Sequence, residues 1–75
     1  MNNIWFVTLL GGEYEQTIYV RAANRRRAVA RAKQVTDIEE VGVGSVYGPR
    51  LFEELESSEQ EQFRNDVAVF DVEPV

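Results

Sequence analysis

Ile4-Trp-Phe-Val-Thr-Leu-Leu10, the pair Gly11-Gly12 and the run from Tyr14 to Ala22 follow one another directly in the chain. The first run is short and rich in β-branched and aromatic residues, the composition of a strand. Both of its faces are apolar, which suits an interior strand better than an edge. The two glycines supply the positive φ angles that a tight turn needs. Beyond them the chain alternates, with Ile18, Val20 and Ala22 on one face and Thr17, Tyr19 and Arg21 on the other. An antiparallel hairpin over residues 4–22 is the expectation.

Asn24 then stands where a helix N-cap belongs, its side-chain oxygen free to accept an unpaired first-turn amide. Ala28, Val29, Ala32 and Val35 recur at helical spacing, and Thr36-Asp37 ends the pattern, so a helix over 25–36 is expected. Its small alanines predict close packing on the hairpin. Val41, Val43, Val46 and Tyr47 have strand chemistry, but Gly42, Gly44 and Gly48 weaken it. Residues 41–47 therefore read as a short, bent or bulged strand. Within 50–65 a second helix is expected, as one piece from Pro49 to Asn65 or as two. Ser57 with Gln60 and Ser58 with Glu61 have capping-box spacing. Val67 to Val72 closes the sheet as a strand. The order predicts a single α+β domain over 1–75, an antiparallel sheet packed on one side by the two helical elements.

Composition narrows the chemistry. With 75 residues the chain has room for one thin core. It has no cysteine and no histidine, which removes disulfides, thiolate zinc sites and the commonest general base. No cofactor or metal is expected. The longest apolar run is far shorter than the roughly 20 residues that span a bilayer, and it lacks the basic start of a signal peptide. No membrane partner is expected, and a cytoplasmic location is the default.

The net charge of −5 is unevenly spread. Residues 1–36 hold six cations against two acids, and residues 37–75 hold two cations against eleven acids. The cations concentrate in Arg25, Arg26, Arg27, Arg31 and Lys33. Arginines at a helix start do not help the helix, whose dipole favours anions there, so phosphate or an acidic surface is one reason to keep them. The plainer alternative is a solvated face paired with the protein's own carboxylates.

The acids concentrate in Glu53, Glu54, Glu56, Glu59 and Glu61, a surface suited to a basic partner; the plainer alternative is a solubilising helix face. A glycosidase-like carboxylate pair needs a cleft that so short a chain has little room for, and catalysis is not expected. Neither the acids nor the glycines match a calcium loop. Gly42 to Gly48 misses the dinucleotide-binding spacing by one place, and the chain has no P-loop lysine. Trp5 and Tyr19 are candidate contacts if they share an outer face, where they would stack bases or anchor an interface.

No motif names a family. In size and charge alone, the profile is shared by small virus- or plasmid-encoded inhibitors such as anti-restriction and anti-CRISPR proteins. The expectation is a non-enzymatic protein-binding module, an inhibitor or regulator of a larger, nucleic-acid-handling complex, with the acidic half as its contact. Nucleic-acid binding through Arg25–Lys33 is the alternative, and a homodimer built on the hairpin's outer face is the third.

Overall fold

The computed structural model describes residues 3–75. Strands β1 (Asn3–Gly11) and β2 (Tyr14–Ala22) pair antiparallel from Asn3 opposite Ala22 to Gly11 opposite Tyr14. Gly12 makes the turn at φ 61°, a conformation that side chains disfavour. β1 is flanked on its other side by β3 (Gly42–Arg50). β2 is flanked by β4 (Val67–Val69) near its end and by the two-residue β5 (Glu73–Pro74) near its start. The sheet runs β3-β1-β2-β4, with β5 beside β2. β1 is interior, as its two apolar faces require.

Helix α1 (Arg25–Val35) starts at Asn24, whose Oδ1 accepts from the Arg27 amide at 2.9 Å. Its fully buried alanines, Ala28 and Ala32, let the backbone approach Val7, Leu9, Ile18, Val20 and Val67. Burying each of these larger aliphatic side chains contributes about 1.5–3 kcal/mol. Trp5 packs against this core and donates its indole N–H to the Ala22 carbonyl at 3.2 Å.

The hairpin end is held by Gln16, only 1% exposed. Its Nε2 donates to Asp37 Oδ2 (3.1 Å) and to the Phe70 carbonyl (2.8 Å). Its Oε1 accepts from Thr36 Oγ1 (2.6 Å) and from the Asp37 amide (3.1 Å). Every donor and acceptor of the amide is used, so one buried polar group ties β2 to the end of α1 and to the C-terminal segment.

The α+β domain and its antiparallel sheet form as expected, and four details differ. The third strand runs on to Arg50, through Pro49. β3 is an edge strand, where a missing N–H costs no ladder bond, so Pro49 does not open a helix. Two register shifts against β1 fall around Gly44 and Gly48-Pro49. A Cβ at Gly48 would sit 2.8 Å from Trp5 Cε3.

The second helical element is a 3-10 turn (Phe52–Glu54) and a single turn of helix, α2 (Ser57–Gln60). Leu55 and Glu56 between them are extended, so Leu55 drops to 8% exposure. Gln60 Nε2 holds the bend, donating to the carbonyls of Phe52 (3.2 Å) and Leu55 (2.9 Å). Ser57 lies inside the first turn of α2, after the cap position at Glu56.

This segment does not share α1's side. It lies on the opposite face, where Tyr19 bonds Glu59 and Arg21 sits over the Phe52 ring.

The strand expected over 67–72 stops at Val69. Phe70 still donates its amide to Thr17, but its carbonyl is taken by the Gln16 side chain instead of a β2 amide, and the ladder breaks. Upstream of β4, Arg64 and Val67 exchange backbone bonds around Asn65 and Asp66, both at positive φ, in the manner of a type I′ turn. No helix among the described residues is long and apolar enough to cross a membrane.

Candidate functional site

The charge asymmetry of the chain becomes an asymmetry between the two faces of the sheet. On α1, Arg25, Arg26, Arg27 and Lys33 are exposed and Arg31 is half-buried. α1 has no acidic residue in its first turn. Arg31 bonds Gln34 Oε1 at 3.3 Å, and none of the five cations enters an ion pair among the described residues. The ion pairs that do form use other cations: Arg21 with Asp66 at 3.4 Å and Arg50 with Glu54 at 3.7 Å. Among the described residues the cluster is thus a solvated face that does not pair with the protein's own carboxylates.

The opposite face carries an aromatic row and carboxylates. Phe6 stacks on Tyr19 with ring centroids 4.2 Å apart, and Phe70 meets Tyr19 edge-on at 4.8 Å. Among the five glutamates singled out in the sequence, two have internal work. Glu54 accepts from the Leu51 amide at 3.0 Å and pairs with Arg50. Glu59 accepts the Tyr19 hydroxyl at 2.7 Å through one oxygen and the Glu56 amide at 3.1 Å through the other. Glu53, Glu56 and Glu61 are exposed and form no ion pair among the described residues.

Burial, the bond to Glu59 and the nearby charges of Glu59 and Glu56 push the Tyr19 hydroxyl up to about 12. All of these disfavour the phenolate.

Three more carboxylates join this face. Glu15, Asp71 and Glu73 line a shallow groove of about 360 Å³ floored by Tyr19 and Phe70. Phe70 and Asp71 also border a second groove of about 310 Å³ with Ser58 and Glu59. Glu15 and Glu73 stand directly opposite each other across β2 and β5, a like-charge pairing that weakens a sheet. Sequence spacing did not bring Glu15 to this site. Its alternation with Thr17 and Tyr19 marks its face, but its neighbours come from residues more than fifty positions away. No three carboxylates among the described residues stand close enough to hold a metal ion.

Trp5 and Tyr19 do not share a face. Trp5 lies opposite Val20 on the α1 side, while Tyr19 lies opposite Phe6 on the other, so they cannot act as one aromatic platform. What the arrangement offers chemically is a shallow, acidic, aromatic-floored surface on one side of the sheet and a bare cationic helix on the other. No family model, curated protein or solved structure matches this chain.

Proposed function

We propose that this protein is a non-enzymatic protein-binding module that docks its acidic face on a basic surface of a larger partner. In its finer form it is an inhibitor or regulator that covers the surface of a nucleic-acid-handling complex. The observation that carries the reading is the gathering of Glu15, Asp71 and Glu73 beside Glu59 around Tyr19 and Phe70, on the face away from every cation of α1. Glu15 opposite Glu73 costs stability, and a cationic partner relieves that cost on binding. Half-buried aromatics between the carboxylates supply apolar contact area.

The test replaces carboxylates without internal duties. Affinity capture with the intact chain, followed by mass spectrometry, should recover a basic partner, and the triple variant Glu53→Lys, Glu61→Lys, Asp71→Lys should lose it. Arg25→Glu with Arg26→Glu should retain it. If the triple variant keeps its normal circular dichroism and still captures the same protein, the reading fails.

A second reading rests on the five unpaired cations of α1. Contact with phosphates predicts retardation of DNA or RNA at about 50 mM salt that falls steeply by about 200 mM. The net charge of −5 opposes that approach at long range, which is why the acidic face leads.

A further inference from the structure

β3 is the long free edge of the sheet, because its other side pairs with no strand among the described residues. Most of its nine residues are exposed, including Val43 at 39% and Tyr47 at 67%. Edge strands of this kind offer a row of unpaired backbone donors and acceptors, and natural edges are blunted with charges, prolines or bulges. Here the irregularities lie around Gly44 and at Gly48-Pro49, and the run Ser45–Tyr47 between them keeps a regular register with Thr8, Val7 and Phe6. The edge is thus open to a short strand and closed to a long one.

Its surroundings are selective. On the α1 side, Val43 and Val29 form an apolar shelf bordered by Arg25 and Arg26, a concavity of about 450 Å³. On the other side stand Tyr47 and Arg50, the latter over the Phe6 ring and paired with Glu54. β3 itself carries no acid. The nearest preceding carboxylates, Glu39 and Glu40, line the separate cavity at the hairpin end with Tyr14.

We infer that the β3 edge accepts a short, extended, acidic segment of a partner protein by strand addition, with Arg25 and Arg26 reading its carboxylates and the Val29–Val43 shelf taking an apolar side chain two residues from them, on the same face of the added strand. Backbone pairing supplies the affinity, and the alternate side chains supply the choice of partner. A second copy is a poorer occupant. Pairing β3 with its own copy sets arginine-bordered faces side by side on one sheet, and the two irregularities prevent a long register. This site lies on the α1 side and edge, away from the acidic face, so each proposal can fail without the other.

The experiment titrates the full, isotopically labelled chain with a capped peptide of about five residues, in the order glutamate, threonine, valine, threonine, glutamate, so that the carboxylates and the valine share one face and the strand pairs with Ser45–Tyr47 and reaches Val43. Two controls accompany it: the counterpart with lysine in place of each glutamate, and the glutamate peptide N-methylated at every residue. Amide shifts and slowed hydrogen exchange should be confined to β3 and the first turn of α1. The lysine peptide should produce none. N-methylation should abolish them, since it removes the backbone donors and keeps the side chains. Arg25→Glu with Arg26→Glu should weaken binding about tenfold or more, with unchanged circular dichroism.

Absence of any shift at millimolar peptide overturns the inference. So does binding that survives N-methylation, which marks charge attraction alone, or shifts centred on Glu59 and Asp71. A dimer by light scattering whose interface protects β3 also overturns it, by giving the edge to a second copy.

Discussion

Behind α1 the sheet presents Val7, Leu9, Ile18 and Val20 with no exposure, whereas its other face buries Ile4 but leaves Phe6, Tyr19 and Phe70 half-buried beneath a broken helical segment. The first face is sealed by aliphatic burial against alanines, which is strong and non-directional. The second buries Ile4, Ala68 and Leu55 and adds directional contacts: one hydroxyl–carboxylate bond, an arginine over a phenylalanine, and edge-on rings. More of the buried aliphatic surface therefore lies on the α1 side. The acidic side leaves more of its surface open.

The largest expected effect tests the sealed face. Ile18→Ala removes a fully buried side chain of the aliphatic core, and should cost about 2–5 kcal/mol in denaturant unfolding. That is a large share of the total stability of a small domain. A cost below about 1 kcal/mol breaks the comparison.

Next comes the tie between the two sides. Gln16→Ala orphans the Phe70 carbonyl, the Asp37 amide and the Thr36 hydroxyl together, and should cost about 2–3 kcal/mol, allowing for water entering the gap. Hydrogen exchange at Asp37 should quicken, while that of β1 stays within the global unfolding limit.

Tyr19→Phe probes the open face and should cost about 1 kcal/mol, the worth of one partly exposed hydrogen bond. It also has a signature in pH. The folded hydroxyl is pushed up to about 12, above the ordinary value of 10, so folding favours the protonated phenol. Its contribution is complete below pH 10 and is lost as pH rises from 10 through 12. Denaturation across that range should show the decline in the parent and a flatter curve in Tyr19→Phe. Glu59→Gln should lower the pH at which this phenolate absorbance appears.

Asn65→Gly, with the smallest effect, sharpens the boundary between cover and sheet. Asn65 and Asp66 hold positive φ in the turn entering β4. Asn65→Gly should leave stability within about 0.5 kcal/mol of the parent, and Asn65→Val should cost about 1–2 kcal/mol. Equal stabilities for the two variants would show that the turn does not constrain the cover.

The hairpin and α1 were legible because their signals are local. Alternation across Tyr14–Ala22, a glycine turn and an Asn24 cap each act within a few residues. The uneven charge was legible too, since it is a property of the chain. Residues 49–65 were not, because leucines and phenylalanines at mixed spacing fit one helix or two. The choice was made by Leu55 dropping into cover and by Gln60 bonding the carbonyls of the bend. Pro49 read as a helix opener because nothing local says that its strand lies at an edge.

By itself the sequence determined the two long strands, the helix that follows them and the separation of cations from acids, since these rest on short-range geometry and composition. Only the tertiary structure decided that residues 51–63 cover the face opposite α1, that Gln16 closes the hairpin end, and that Glu15 meets Asp71 and Glu73 beside Tyr19. Those outcomes depend on strand register and on contacts between residues far apart in the chain. Such pairings are selected by the burial and hydrogen bonding of the whole domain, which no short window of residues contains.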